Sequence, residues 1–235
     1  FKQKEQILEA LHRELKLRRD YLGQSPLETM YFGGGTPSVL EASEIRSLLD
    51  AITSLFQVSS AAEITLEANP DDLNADKVKA LRDTPVNRFS IGTQSFFDED
   101  LAWMNRAHTA GEAEDSIKRV QDAGFENITI DLIYGYPLLS DSKWKSNIGK
   151  AVDLQVPHIS SYSLAVEQGT ALVHSIRKGR QTPGSDGQSA DQFLTVMDQL
   201  DAAGFEHYEI SNFCKPGRHS RHNSNYWKGV TYLGI

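Results

Sequence analysis

The chain has 235 residues, 39% of them hydrophobic, and a formal net charge of -8 at pH 7. This size and composition allow one sizeable core, and the negative charge argues against a general nucleic-acid binder. No apolar run is long enough to span a membrane. The single cysteine, Cys214, excludes an internal disulfide and predicts a cytoplasmic protein.

Helical and strand-like patterns alternate along the whole chain. Apolar residues at helical spacing predict helices over 7–22, 45–56, 76–82, 98–104, 109–123, 142–154 and 186–203. Short apolar runs predict strands over 27–32, 63–68, 88–91, 127–132, 158–164 and 207–210, and 178–189 is expected to be a surface loop. Strands that alternate with helices form parallel sheets with right-handed crossovers, so the sequence predicts an α/β fold, a partial or full βα barrel.

Three consecutive glycines, Gly33, Gly34 and Gly35, follow the first predicted strand. Glycine lacks a Cβ atom, so a ligand can hydrogen-bond the main chain directly, and a positive φ angle carries no steric penalty. The run therefore predicts a binding site for a small polar ligand. The alternative is a tight turn between a strand and a helix.

Polar side chains stand near the ends of the next predicted strands. Glu67 ends the second strand, Gln94 lies just beyond the third, and Asp131 lies near the end of the fourth. Ligands of parallel α/β folds bind at the carboxyl ends of the strands. We therefore expect the glycines and these side chains to share a site, although any one of them alone could be a capping or solvent-exposed residue.

The order and spacing of these motifs resemble the radical S-adenosylmethionine (SAM) proteins related to oxygen-independent coproporphyrinogen III dehydrogenase. The resemblance covers nearly the whole chain and rests on GGGTPS at 33–38, EITLEANP at 63–70, GTQSF at 92–96, RAH at 106–108, DLIYGYP at 131–137, and YSL at 162–164 with Glu167. YEISNF at 208–213 and HNSNYW at 222–227 are typical of the haem chaperone branch of that family. The implied fold is a partial TIM-like (βα)6 radical SAM barrel with parallel strands over residues 1–235.

The resemblance also implies how the chain binds SAM. The methionyl part of SAM would lie along Gly34, Gly35 and Thr36, and Arg106 would pair with its carboxylate. The ammonium group or ribose hydroxyls would bind side chains that accept several hydrogen bonds, and Ala165 would line the adenine pocket. The accepting side chains are those of Glu67, Gln94 and Asp131. The ordinary alternatives are a surface charge for Arg106, a loop hydrogen bond for Gln94 and plain packing for Ala165.

The family's [4Fe-4S] cluster is held by a Cys-x-x-x-Cys-x-x-Cys loop, which this chain does not contain. A lone thiolate does not hold such a cluster, so we expect no metal ligand and no catalytic residue in the chain. We also expect both ends to be truncated, with the cluster loop and a C-terminal domain lying outside the chain, which should be inactive as it stands.

The function implied by the resemblance is that of a haem chaperone, which binds haem and SAM and delivers haem to client haem proteins. One alternative is the coproporphyrinogen III dehydrogenase of porphyrin biosynthesis, and another is a binding domain without a cluster. His222 is the leading candidate for a haem ligand because imidazole is the commonest ligand to haem iron and aromatic residues surround it in the sequence. Cys214 and the other histidines are the alternative ligands.

Overall fold

The computed structural model describes residues 3–165, 169, 171–180 and 182–235. The chain divides into two compact units. Unit 1 contains the chain up to Ala68 together with Asp72–Phe89 and Ser220–Ile235, and unit 2 contains Asn69–Asp71 and Ser90–His219. Glu167, one of the motif residues, lies outside the described residues.

Unit 1 has parallel strands flanked by helices. In chain order its elements are α1 (Lys4–Leu17), β1 (Leu27–Phe32), α2 (Ala42–Leu55), β2 (Val58–Ala68), α3 (Ala75–Arg82), the start of β3 (Arg88–Gln94) and, near the end of the chain, α9 (Arg221–Trp227). Strands β1 and β2 pair in parallel, with Met30 opposite Ile64 and Phe32 opposite Leu66. Helix α2 starts with a capping box between Glu41 and Glu44, which satisfies amides that a helix leaves unpaired at its start.

Unit 2 continues the alternation of strands and helices. Its elements are the rest of β3, α4 (Asp98–Trp103), α5 (Ala110–Asp122), β4 (Ile128–Tyr134), α6 (Asp141–Asp153), β5 (His158–Ser163), α7 (Ala171–Arg177), α8 (Asp186–Ala202), β6 (Glu206–His207) and β7 (Asn212–Cys214). The strand order here is β3-β4-β5-β7-β6, with β4 and β5 parallel. Ile91, Ile130, Leu132 and Ile159 are fully buried or nearly so, and they form part of the core of this unit.

A polar network lies inside the core of unit 2 around Asp100, whose side chain is fully buried. Its carboxylate accepts hydrogen bonds from the Tyr136 hydroxyl at 2.7 Å and the Ser95 hydroxyl at 3.1 Å, and it forms an ion pair with Lys143. Burial, reinforced by the hydrogen bond to Asp100, raises the pKa of Tyr136. A buried charge is tolerated only when it is paired and hydrogen-bonded, so these donors are required for Asp100 to remain inside the core.

The α/β class, the parallel central strands and the first strand, Leu27–Phe32, agree with the sequence prediction. The prediction differs from the structure at the last strands of unit 2, because β7 pairs antiparallel with both β5 and β6. Residues 208–211 join β6 to β7, so most of the strand predicted over 207–210 is a short connection. Parallel pairing needs a crossover of a dozen or more residues, and this connection is too short for one.

Other differences concern helices. Helices α7 and α9 were not predicted. Helix α8 starts at Asp186, as predicted, with the Ser185 side chain capping its first turn, so the loop expected over 178–189 ends earlier than expected. No helix among the described residues is long and apolar enough to cross a membrane.

Candidate functional site

The three glycines after β1 differ in whether the structure requires glycine at their position. A Cβ atom on Gly33 would lie 2.7 Å from the Tyr31 ring and 3.0 Å from the Glu67 carboxyl carbon, so packing requires glycine there. Gly34 has a φ angle of 81°, in the left-handed region that favours glycine. Neither reason applies to Gly35, because a Cβ atom there would meet nothing within 4 Å and its φ is not positive. The main chain at Gly34 and Gly35 is exposed, and Thr36 beside it is half-buried.

Tyr31 and Glu67 form a hydrogen-bonded pair beside this glycine run. The Tyr31 hydroxyl donates to Glu67 Oε1 over 2.6 Å, and the Glu67 side chain is half-buried at the end of β2. A hydrogen bond to a carboxylate is shorter and stronger than one between neutral groups. Tyr31 therefore fixes the direction of the carboxylate. This role was not predicted from the sequence, where its only signal is the position of Tyr31 just before the glycines.

In unit 2, the guanidinium of Arg106 is also held by hydrogen bonds, as the Glu67 carboxylate is in unit 1. Its Nη2 atom donates to Asn69 Oδ1 over 2.7 Å and to the Gly92 carbonyl over 3.3 Å. A Cβ atom on Gly92 would lie only 3.2 Å from that Nη2 atom and 2.9 Å from the Gln94 amide nitrogen, so glycine lets the guanidinium approach the strand. Burial lowers the pKa of Arg106, and the charges of Asp71 and Asp131 oppose that shift. Arg106 is thus a partly desolvated cation facing acidic residues.

The two remaining polar residues of unit 2 lie at different points on their strands than predicted. Asp131 stands in the middle of β4, where the Ser90 hydroxyl is 3.4 Å from its Oδ1 atom, because β4 runs on to Tyr134. Gln94 is the last residue of β3, with a φ of 65°. A non-glycine residue in the left-handed region is uncommon and marks a place where the chain turns sharply.

Ala165 lies two residues beyond the end of β5 and is exposed. Within unit 1 the structure brings Glu67 to the glycine run, and within unit 2 it brings Arg106 to Gly92 and Asn69. Asn69 and Ser90 were not identified from the sequence as site residues. Nothing in the sequence relates Asn69 to Arg106, since 37 residues separate them.

His222, the candidate haem ligand, lies in α9 and packs against β1 in unit 1. Its Nδ1 atom is 3.1 Å from the Thr29 hydroxyl, and its ring stacks on the Tyr31 ring with centroids 4.7 Å apart. The Tyr226 ring approaches it edge-on at 5.2 Å. Burial lowers the pKa of His222, against the charge of Glu63, so the neutral imidazole is favoured.

A buried carboxylate anchors the helix that carries His222. The backbone amides of Arg221 and His222 donate to the two oxygens of Glu63 at 3.1 and 2.9 Å, and Glu63 is only 5% exposed. An anion at a helix N-terminus pairs with unsatisfied amides and with the positive end of the helix dipole. Glu63 therefore holds His222 in a defined place relative to β1.

A model of the radical SAM superfamily matches residues 4–148. With the alternating fold and the strand-end residues described above, this match shows that the chain belongs to the radical SAM superfamily. Among curated proteins, the chain is similar to the heme chaperone HemW of Lactococcus lactis subsp. lactis, with 43% identity over 209 residues that cover 89% of this chain and 55% of that protein. It is also 38% identical to the heme chaperone HemW of Bacillus subtilis over 232 residues, covering 98% of this chain and 61% of that protein.

The chain thus spans 55% to 61% of the length of these two relatives. Among solved structures, the coproporphyrinogen III oxidase HemN of Escherichia coli, a radical SAM enzyme, matches with a TM-score of 0.79 and 24% identity, covering 96% of this chain and 51% of that one. This likeness confirms the predicted fold. The predicted resemblance to the radical SAM family that contains these proteins is confirmed as well.

The family implies SAM and a [4Fe-4S] cluster. The residues of this chain fit SAM but not the cluster. In unit 1, the exposed glycine backbone and the Glu67 carboxylate fit an ammonium group such as that of SAM. In unit 2, the Arg106 guanidinium fits a carboxylate such as that of SAM. The cluster does not fit this chain, because Cys214 is its single cysteine and is fully buried in β7.

Proposed function

We propose that this chain is the SAM-binding part of a radical SAM haem chaperone, a cytoplasmic protein that binds haem and delivers it to client haem proteins. The observation that carries this proposal is the identity of 43% and 38% with heme chaperones HemW over 89% and 98% of the chain. The structural match to coproporphyrinogen III oxidase, at 24% identity, concerns the fold and does not favour the dehydrogenase reaction.

The proposed SAM contacts follow the two groups of residues described above. In unit 1, the backbone of Gly34, Gly35 and Thr36 would hydrogen-bond the methionyl part of SAM, and Glu67 would accept from its ammonium group. Tyr31 supports this role by holding the carboxylate at 2.6 Å. SAM, when bound, supplies the radical chemistry of the family, and the protein supplies position and electrostatics.

In unit 2, Arg106 would pair with the carboxylate of SAM. Its hydrogen bond to Asn69 supports this role because a guanidinium held through one nitrogen keeps its remaining donors in a fixed direction. Asp131 and Gln94 would bind the ribose hydroxyls, and Ala165, which is exposed after β5, would contact the adenine ring.

We further propose that His222 binds the haem iron through Nε2. The contact between its Nδ1 atom and the Thr29 hydroxyl supports this assignment, because Nδ1–H can donate to that hydroxyl while Nε2 keeps its lone pair for the metal. Tyr226 and Trp227 on the same helix are 52% and 63% exposed and offer aromatic surface for a porphyrin. Cys214 is a poor alternative because a fully buried thiol is closed to a porphyrin.

The test is a titration of the 235-residue chain with haem, followed by the Soret band, and then transfer of the haem to an apo-haem protein such as apomyoglobin. We expect saturable binding that His222→Ala weakens and alters spectrally. His12→Ala is the matched control, because His12 is a histidine of α1 that also contacts a hydroxyl, that of Ser47, at 3.3 Å. Wild-type affinity in His222→Ala would move the haem site elsewhere, and absence of both haem binding and transfer would overturn the chaperone proposal for this chain.

A further inference from the structure

A group of potential metal ligands lies at the antiparallel edge of unit 2, outside the residues proposed to bind SAM or haem. The side-chain ligand atoms of Glu206, Cys214 and His219 all lie within 4.8 Å of one another. The Nε2 atom of His219 is 3.3 Å from Oε2 of Glu206. This group comes from the start of β6, the end of β7 and the segment that follows β7.

The backbone explains why these residues meet. Cys214 is the direct partner of Glu206 on β6 and of His158 on β5, and directly opposed residues of antiparallel strands project from the same face of the sheet. Beyond Cys214, the chain turns at Gly217, which has a φ of 76°, and the Arg218 amide donates to the Lys215 carbonyl. This turn returns His219 to the strand end.

We propose that Glu206, Cys214 and His219 form a binding site for a thiophilic divalent metal ion of the zinc type. A thiolate, an imidazole and a carboxylate are the ligand types that Zn²⁺ uses in proteins, at about 2.0 to 2.3 Å. Two ligands of a tetrahedral ion at about 2.1 Å lie about 3.4 Å apart, close to the separation between His219 and Glu206. Hard ions such as Mg²⁺ and Ca²⁺ are disfavoured by the sulfur ligand.

Neighbouring residues hold the proposed ligands in place. The Tyr208 ring meets the His219 ring edge-on, with centroids 4.6 Å apart, and the Tyr208 hydroxyl is 2.7 Å from Nε2 of His158. The other nitrogen of His158 is 3.1 Å from the Thr129 hydroxyl, so both of its ring nitrogens are engaged and it supports the site without being a ligand. The hydrogen bond to His158 fixes the Tyr208 ring, which in turn limits the orientations open to His219.

The site has one buried side and one side open to solvent. Cys214 is fully buried, whereas the side chains of His219 and Glu206 are 40% and 49% exposed. A bare ion can therefore enter from the side of His219 and Glu206 and displace the thiol proton into solvent, with a water molecule as its fourth ligand. No metal ligand was predicted from the sequence, because a single cysteine cannot hold the iron-sulfur cluster of the family.

The test uses the untagged 235-residue chain without SAM or haem, so that its outcome is independent of the proposed function. Titration with Co²⁺ reports a thiolate ligand through a sulfur-to-cobalt charge-transfer band, which can come only from Cys214 because the chain has no second cysteine. Competition with Zn²⁺ then gives the zinc affinity. We expect one ion per chain and a charge-transfer band that disappears in Cys214→Ser.

His219→Gln and Glu206→Gln change exposed side chains and keep the fold testable if the buried Cys214→Ser does not. We expect each to weaken Zn²⁺ binding by at least about tenfold, since even outer partners of metal ligands contribute about 10- to 100-fold. His12→Gln, a change at a histidine of α1 that contacts Ser47, should leave the affinity unchanged. The proposal is overturned if Co²⁺ gives no charge-transfer band, or if His219→Gln binds Zn²⁺ as tightly as the unmodified chain.

Discussion

The guanidinium of Arg106 is held by the side-chain amide of Asn69, through a hydrogen bond of 2.7 Å from Nη2 to Oδ1. The same nitrogen is 3.3 Å from the carbonyl of Gly92, whose missing side chain leaves room for it. The residue proposed to bind the carboxylate of SAM is therefore positioned by two groups before any ligand arrives. Such preorganisation reduces the entropy lost on binding.

Arg106→Ala should weaken SAM binding by roughly 10- to 100-fold, because a hydrogen bond to a charged group contributes about 1.5–3 kcal/mol. Arg106→Lys should recover only part of the loss, since an ammonium cannot make the paired contacts of a guanidinium. Asn69→Ala should have a smaller effect because it acts through the position of Arg106. Calorimetry on the 235-residue chain measures these affinities. Arg18→Ala, at an exposed position just after α1, is the control, and equal affinities in all four variants would remove Arg106 from the site.

Alanine substitutions of the three glycines after β1 should separate effects on folding stability from effects on SAM binding. Gly33→Ala should lower the free energy of unfolding by about 1–3 kcal/mol, as overpacking does, because its Cβ atom would meet Tyr31 and Glu67. Gly34→Ala should cost about 1–2 kcal/mol through its positive φ.

Gly35→Ala should change stability by less than about 0.5 kcal/mol, because its Cβ atom would enter open space. It should nevertheless weaken SAM binding if the ligand lies along this backbone. Urea unfolding and SAM calorimetry on the three variants give both quantities. A Gly35→Ala variant with normal SAM affinity would argue that the ligand does not contact this backbone.

Folding stability should fall in mild acid because of His108, which is 3% exposed and whose Nε2 lies 3.1 Å from the Thr93 carbonyl. Burial lowers the pKa of His108 below its usual 6.5, although the contact with the Thr93 carbonyl opposes the shift. Below about pH 6.5 the unfolded chain therefore binds more protons than the folded chain, and the free energy of unfolding decreases as the pH falls, until the folded-state pKa is reached.

His108→Gln should make the free energy of unfolding depend less steeply on pH between about pH 6.5 and about pH 5. This window lies above the usual titration range of carboxylates. The pKa of His222 is shifted in the same direction, so His222 should account for part of the pH dependence that remains in this variant. Urea unfolding at several pH values measures the pH dependence of the free energy of unfolding. An unchanged slope in His108→Gln would show that His108 titrates equally in both states.

The buried network of unit 2 should be sensitive to loss of its charge. Asp100→Asn leaves Lys143 without its buried partner and should cost about 3 kcal/mol or more. Tyr136→Phe removes one neutral donor to the carboxylate and should cost about 1–3 kcal/mol. Glu99→Gln is a matched control, because Glu99 pairs with the same lysine but its side chain is 71% exposed, so its effect should stay below about 1 kcal/mol. Equal losses in Asp100→Asn and Glu99→Gln, measured by urea unfolding, would contradict the importance of the buried charge.

The sequence by itself determined the alternation of helices and strands, the extent of β1, and the motifs that indicate the radical SAM family. These features are local, because the burial of one face of a helix or strand imposes a period that is visible within a short window. The positions of Glu67 at the end of a strand and of the glycines before a helix were predictable for the same reason. Even the errors at Asp131 and Gln94 were errors of strand length, which periodicity determines poorly at the ends of an element.

Only the tertiary structure decided which side chains meet. The contact of Arg106 with Asn69, the anchoring of His222 by Glu63, and the cluster of Glu206, Cys214 and His219 each join separate elements. The antiparallel pairing of β6 with β7 depends on a connection, residues 208–211, whose length excludes a parallel crossover whatever its hydrophobic pattern. Contacts of this kind follow from how elements pack and in which direction strands pair, and neither property leaves a periodic trace in the sequence.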